Sequence, residues 1–294
     1  MKDSEDKFSR QILAFGKQGQ NRIMNTNVGI VGLGGLGSFI AKMLAYLGVQ
    51  EFILVDDDIV EESNLNRLIG ASYEDAKGKS AKVDVAARVI SSINAQAGVR
   101  RINKNLRSEE AIDALCETCE IIFACVDNDS ARLILTELSA AFDKTLIDSG
   151  TEIINSKDYQ EFGGRVIVAQ PGDFCLLCAG QIDLALAHQE LESEPERSFR
   201  QAAGYGLGSN MPNPSVISLN SIIAGLAVTE FLMQVTGLRP PNRMVTYKGM
   251  RGVFKESIDS KRNNCIVCNS LAGKREQADI KRYIRRGLPK DLPI

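Results

Sequence analysis

The feature that most constrains this chain is a glycine-rich turn set between a strand and a helix. Asn27–Val31 is a short apolar run, Gly32-Leu33-Gly34-Gly35-Leu36-Gly37 follows it, and Ser38–Gly48 repeats apolar residues at helical spacing. Ile40, Leu44 and Leu47 share one face of that helix, and Gly48 suits its C-cap. In this context the G-x-G-x-x-G glycines (Gly32, Gly34, Gly37) let the backbone approach a phosphate, and the helix N-terminus favours anions. Asp56 ends the next apolar run, Glu51–Val55, nineteen residues after Gly37, where an acid can bind ribose hydroxyls. The plain alternative is a tight turn without a ligand, and the paired acid argues against it. The motif points to a nucleotide without choosing between NAD and ATP.

The same alternation continues downstream. Ser80–Ile93 reads as a helix, Val99–Ile102 as a strand and Glu109–Leu115 as a short helix. Ile121–Val126 is an apolar strand ending at Asp127-Asn128-Asp129, Ser130–Phe142 a helix with Asp129 or Ser130 as N-cap, and Thr145–Asp148 a buried strand. Strands alternating with helices predict an α/β fold, a Rossmann-like doubly wound, mostly parallel sheet whose strands are buried on both faces.

After Gly150 the pattern changes. Arg165–Ala169 suits a strand, Asp183–Leu207 a polar mobile loop, Pro214–Val235 a long helix, and Met244–Tyr247 with Val253–Glu256 a hairpin, giving a C-terminal antiparallel extension. The expected organisation is an N-terminal helical arm (1–26), a nucleotide-binding half (27–150), a crossover loop, helix and hairpin of the same domain (151–270) and a basic tail (271–294). From Lys274 the tail carries seven basic and three acidic residues, suiting either an acidic partner or a solvated end.

Composition narrows the function. Charged residues balance to a net −2, which argues against a surface built for nucleic acid. The single histidine, His188, excludes a His-rich metal site and sits in the polar loop, where a solvated side chain is the default. Met1–Gln11 is charged and lacks the apolar region of a signal peptide. Val216–Val235 has the length of a membrane span but contains Ser218, Asn220, Glu230 and Gln234, so a buried helix is expected instead. A cytoplasmic, reducing location follows, and with it thiols or metal ligands rather than disulfides.

A second group of residues selects ATP. Ser63-Asn64-Leu65-Asn66-Arg67 follows the acidic strand end Asp56-Asp57-Asp58, Lys82 lies at the next helix, and Asp127-Asn128 closes a later strand. Carboxyl ends of parallel strands converge on one crevice. There Arg67 and Lys82 can neutralise phosphates, and Asp127 can hold Mg2+. A hydride-transfer enzyme needs no such set. A third group is Cys175-Leu176-Leu177-Cys178 with Cys265-Ile266-Val267-Cys268: two knuckles, four thiolates, the donor set of a structural Zn2+ site. The intervening 86 residues make it a staple across the domain rather than a finger. Cys116, Cys119 and Cys125 read as buried thiols.

These residues resemble the adenylation domain of ubiquitin-activating-type enzymes, in layout the HesA/MoeB/ThiF superfamily. The likeness covers about residues 8 to 270, through Ser9-Arg10-Gln11-Ile12, the glycine turn, Leu54–Asp58, Ser63–Arg67, Lys82 and Asp127-Asn128 in order. It implies that Gly32, Gly34, Gly35, Asp56, Asp58, Asn64, Arg67, Lys82, Asp127 and Asn128 bind ATP and its Mg2+. It further implies that Arg10, Arg67, Lys82 and Asp127 are catalytic, with Arg10 reaching across a homodimer. The implied reaction is attack by the C-terminal glycine carboxylate of a ubiquitin-like or sulfur-carrier protein on the α-phosphate, giving an acyl-adenylate and pyrophosphate.

Three departures shape the expectation. The stretch from Ala179 to Asn264 has no cysteine, so adenylation without a covalent thioester is expected. Gly78-Lys79-Ser80-Ala81-Lys82 is one residue longer than the usual Gly-x-Pro-Lys, leaving Lys79 as the fallback for Lys82. Gly150–Glu161 is longer than in simple members and is a candidate part of the substrate groove. The product would feed sulfur transfer or a bacterial conjugation or defence pathway, with a conjugating enzyme as a further partner. Adenylation of a peptide or a tRNA base, and an inactive scaffold binding a ubiquitin-like protein, are the alternatives.

Overall fold

The computed structural model describes residues 7–155, 160–193, 195, 196, 198, 214–257 and 259–285. Its centre is one eight-stranded sheet: β1 (Asn27–Val31), β2 (Glu51–Val55), β3 (Gly98–Ile102), β4 (Ile121–Ala124), β5 (Thr145–Asn155), β6 (Gln160–Ala169), β7 (Met244–Lys248) and β8 (Val253–Glu256). The order is β3-β2-β1-β4-β5-β6-β7-β8. β3 to β5 are parallel and the rest antiparallel, as the sequence pattern predicts. Strand order reverses between β1 and β4, which opens a crevice at their carboxyl ends.

Helices cover both faces, so the central strands are apolar without alternation. On one face α2 (Gly35–Leu47), α4 (Lys82–Ile93) and α8 (Ile217–Thr236) bury Val28, Ile30, Phe52, Leu54, Phe123 and Ile147. On the other, α5 (Glu109–Glu117) and α6 (Asp129–Ala141) bury Val31, Val55, Ile122 and Leu146, and the four knuckle cysteines join this core. The kinked α1 (Ser9–Asn25) packs against α2 and α8.

α8 is long and apolar enough to cross a membrane by composition, yet Leu219, Ile223, Ala227 and Phe231 are buried in the core. Its buried Glu230 accepts from Arg239 Nη2 at 2.6 Å and from the Asn242 N–H at 2.8 Å, which satisfies the charge inside the fold.

Several expectations are corrected in detail. α2 starts at Gly35, inside the turn, and α4 starts at Lys82. The N-cap of α6 is Asn128, whose Oδ1 accepts the Ala131 N–H at 2.8 Å, rather than Asp129 or Ser130. The 150–161 insert is two strand arms: β5 extends to Asn155, β6 begins at Gln160, and residues 156–159 lie outside the described residues. The loop from Asp183 opens with a helix, α7 (Leu184–Glu190), capped by the Asp183 carboxylate, and most of residues 194–213 lie outside the described residues.

The tail from Lys274 is docked, not frayed, as far as residue 284. Ala278, Ile280 and Tyr283 are buried, the Tyr283 hydroxyl donates to Glu137 Oε2 at 2.8 Å, and Arg282 pairs with the same carboxylate. Apolar residues spaced through this basic stretch explain the docking; residues 286–294 lie outside the described ones.

Candidate functional site

The glycines of the turn have distinct reasons to be glycine. Gly32 has φ +85, and a Cβ there would meet the Cys125 carbonyl oxygen at 2.5 Å. A Cβ on Gly37 would sit 1.9 Å from the Gly32 oxygen. These two let the turn close against the end of β4. A Cβ on Gly35 would fall 2.2 Å from Asn220 Nδ2. Gly34 is different: among the described residues, nothing lies within 4 Å of where its side chain would be. The turn therefore presents bare backbone to open space at the α2 N-terminus, the arrangement that admits a phosphate or nucleotide.

Asp56 is only 1% exposed and holds this turn from below. Its Oδ2 accepts the Leu33 N–H at 2.6 Å and its Oδ1 the Asp58 N–H at 2.9 Å. Burial lifts its carboxyl from 3.8 to about 6, against the opposing pull of Lys82 and the Leu33 N–H. Lys82 Nζ lies 2.6 Å from Asp58 Oδ2, and this pair faces the crevice. Lys79 is instead the left-handed C-cap of α3 (Tyr73–Gly78), so Lys82 is the lysine that the fold brings to the crevice.

Arg67 is half-buried, with Nη1 donating to the Ser63 carbonyl at 2.6 Å and to Asn66 Oδ1 at 3.0 Å; its Cδ lies 3.6 Å from the Cβ position of Gly35. Asn64 closes a 3-10 turn: its Oδ1 accepts the Glu61 N–H at 3.1 Å. Asp127, just past β4, is exposed, yet partial desolvation of its carboxyl pushes it up. Arg132 opposes that shift and Asp58 adds to it, so Asp127 and Asp58 share one field. Glycine turn, Lys82, Arg67, Asp58 and Asp127 thus converge at the switch point.

Sequence reading missed four residues here. Asn220 is 1% exposed in α8 and reaches Gly35 and, through Nδ2, Ser215 Oγ at 3.1 Å. Arg132, Asp148 and Arg165 form a buried ion-pair chain beside Asp127. Each is a lone polar residue in a helix or strand; the only signal was an acid at the end of an otherwise apolar strand, Asp148.

Arg10 is exposed at the start of α1. Its neighbours fix its place: Gln11 Nε2 donates to the Tyr46 carbonyl at 2.9 Å, and the Phe8 ring packs over Gly48. Arg10 therefore lies near the C-terminal end of α2, whose thirteen residues separate it from its own glycine turn by about 20 Å. His188 is exposed on α7.

The four knuckle cysteines meet as expected. Cys175 Sγ lies 3.8 Å from Cys178 and 3.5 Å from Cys265, and Cys178 lies 3.8 Å from Cys268. A disulfide needs about 2.05 Å. A tetrahedron of thiolates at the usual Zn–S distance of about 2.3 Å has edges of about 3.8 Å, so the cluster fits a zinc ion. The Arg262 N–H points at Cys178 Sγ from 3.4 Å, the kind of donor that steadies a metal-bound thiolate. Cys116 and Cys119 are buried elsewhere, their thiols pushed up to about 12 by burial. Cys125 departs from expectation: it is half-buried just beyond β4, under the glycine turn, and burial pushes its thiol up as well.

The chain is 26% identical over 267 residues to the Sulfur carrier protein ThiS adenylyltransferase of Escherichia coli (strain K12), covering 89% of this chain and 94% of that protein. It is 27% identical over 273 residues to the Adenylyltransferase and sulfurtransferase MOCS3 of Drosophila ananassae, covering 91% of this chain and 54% of that relative. It is 31% identical over 267 residues to the Ubiquitin-like modifier-activating enzyme 5 of Drosophila grimshawi, covering 87% and 62%. The chain thus spans about half the length of the MOCS3 relatives it matches. Among solved structures, E. coli MccB with ATP superposes with a TM-score of 0.69 at 20% identity, over 90% of this chain and 74% of that one, so the fold is shared. Residues 8–267 match the ThiF family, from the start of α1 into the second knuckle, and on that match the chain belongs to the ThiF family.

Proposed function

We propose that this chain adenylates the C-terminal glycine carboxylate of a ubiquitin-like or sulfur-carrier protein with ATP. The observation that carries the reading is the convergence, at one switch point, of a bare-backbone cradle at Gly34 with Lys82, Arg67 and Asp127. The ThiS adenylyltransferase likeness, which spans nearly all of that relative, supports the substrate class.

In this reading the α2 N-terminus and glycine turn bind the phosphates, and Asp56 and Asp58 lie on the ribose side. The incoming carboxylate attacks the α-phosphorus, the bond to the α–β bridging oxygen breaks, and pyrophosphate leaves. Arg67 and Lys82 take up charge on the phosphates, with Lys82 exchanging Asp58 for phosphate oxygen. Asp127 is the carboxylate placed to hold Mg2+, which when bound supplies further charge neutralisation at the phosphates. Catalysis is then positioning and electrostatics.

Adenylation ends without a cysteine thioester. No cysteine lies between Cys178 and Cys265, and burial holds the thiols of Cys116, Cys119 and Cys125 protonated at neutral pH. Arg10 serves the partner of a homodimer, because its own crevice lies about 20 Å away along α2. A cytoplasmic setting suits this chemistry. Delivery of the adenylate into sulfur transfer or into conjugation, with a conjugating enzyme, are both compatible with it.

The test is carrier-dependent exchange of pyrophosphate into ATP, using small proteins ending in Gly-Gly. Exchange with a short peptide but no carrier moves the substrate to a peptide. Exchange that needs a tRNA moves it to a tRNA base. ATP binding without exchange toward any acid makes the chain a scaffold.

A further inference from the structure

Asp148 is fully buried at the carboxyl end of the parallel sheet, between two guanidinium groups. Arg132 Nε of α6 donates to its Oδ1 at 3.4 Å, and Arg165 Nη2 of β6 lies 3.3 Å from its Oδ2. Arg132 spends its other donors on the turn that carries Asp127. Its Nη2 donates to the Val126 carbonyl at 2.8 Å, and its Nη1 to Asp129 Oδ1 at 3.3 Å. Asp129 Oδ2 in turn accepts the Asp183 N–H at 2.9 Å, where the segment after the first cysteine knuckle returns. Asp127 is thus bracketed on both sides by groups that Arg132 holds.

The chain reaches the antiparallel extension because of a glycine. Gly150 faces Arg165 across the β5–β6 ladder, and a Cβ there would lie 2.1 Å from Arg165 Nη1 and 3.7 Å from Arg132 Nη2. Arg165 Nε, buried, has no hydrogen-bond partner among the described residues.

We propose that Asp148 and Arg165 are positioning residues for the Asp127 metal carboxylate, acting through Arg132. This rests on the ATP reading of the crevice. Asp148 orients the Arg132 fork, and Arg165 holds Asp148 against its other neighbour. The Val126–Asp129 turn is held from one side by that fork, and from the other by the Asp183 N–H on Asp129 Oδ2 and by Glu190, which accepts the adjoining Ser130 N–H at 2.6 Å. Outer groups of this kind govern metal affinity without touching the metal.

The experiment measures binding of a non-hydrolysable ATP analogue, α,β-methylene ATP, with Mn2+ as the metal probe and with EDTA. In wild type Mn2+ tightens binding. Arg165→Gln and Asp148→Asn are expected to reduce that Mn2+-dependent gain by about tenfold while leaving affinity in EDTA within about twofold of wild type. Arg165→Lys, which keeps the charge and loses the fork, is expected to lose part of the gain. An undiminished Mn2+ gain in the folded variants overturns the proposal, as does an equal loss with and without metal. If the Gln and Asn variants do not fold, a wild-type Mn2+ gain in Arg165→Lys overturns it. Wild type that binds no nucleotide removes the ATP reading and this inference together, whereas wild-type binding with unaffected variants removes the inference alone.

Discussion

Lys82 Nζ and Asp58 Oδ2 lie 2.6 Å apart, and this contact decides which of two lysines the fold brings to the crevice. Lys82→Ala is expected to lower pyrophosphate exchange by on the order of a hundredfold or more, because it removes a preorganised charge and leaves Asp58 to repel phosphate. Lys79→Gly should leave exchange near wild type and hold stability, since glycine suits the left-handed C-cap that Lys79 occupies at φ 51. Exchange lost in the Lys79 variant and kept in the Lys82 variant would reverse the assignment.

The cysteine cluster predicts one zinc ion per chain. Cys265→Ser should lose the ion and destabilise the fold by more than about 4 kcal/mol, with the 265–285 segment cleaved first in limited proteolysis. Cys116→Ser should keep the metal. Metal analysis that finds no zinc in the wild-type protein would sink this prediction.

Gly35 and Asn220 are coupled by space. Gly35→Ala should destabilise by about 1–3 kcal/mol, since its Cβ falls 2.2 Å from Asn220 Nδ2. Adding Asn220→Ala should recover most of that loss, because alanine favours a helix over glycine by about 1 kcal/mol once room exists. Denaturant unfolding of the four proteins in the cycle gives the coupling, and additive effects would contradict the steric account.

Asp56 makes the fold sensitive to pH. Its carboxyl is raised from 3.8 to about 6, so the folded protein holds this proton more tightly than the unfolded chain. The corresponding stability is complete below 3.8 and is lost as pH rises through about 6. Relative to Asp56→Asn, wild type should therefore lose on the order of 2–3 kcal/mol between pH 4 and pH 8. Adenosine, which has no titrating phosphate, should bind wild type more tightly above pH 6 than below it, as the ionised carboxylate becomes available to ribose. Parallel stability curves for the two proteins would remove the raised value.

Arg10 offers a test of assembly. Arg10→Ala and Asp127→Ala should each abolish exchange alone. Mixed and reassorted, they should restore about a quarter of wild-type activity, since half the dimers are mixed and each holds one intact site. No recovery on mixing, with subunit exchange shown by mass, would place Arg10 outside the partner's site.

Much of this site is legible in one dimension because local rules place it. Gly32–Gly37 must be a strand-to-helix turn, Asp56 must end the next strand, and two Cys-x-x-Cys pairs at any separation can meet in a tetrahedron. Helix starts were less legible, because the first turn of a helix is capped from outside its apolar repeat: α2 begins within the glycines and α6 takes its cap from Asn128. The 150–161 stretch reads as an insert because it is longer than in simple family members, whereas the structure makes it the outer arms of β5 and β6.

By itself the sequence determined the doubly wound sheet, the glycine turn and the paired cysteines, which follow from spacing along the chain, and the family, which follows from the resemblance those residues carry. Tertiary structure alone decided which polar side chains work together. It put Asn220, 185 residues away in sequence, against Gly35, and it made Asp148, Arg132 and Arg165 one buried chain behind Asp127. No spacing rule encodes those contacts, because each depends on a strand order and a register that exist only once the sheet has closed.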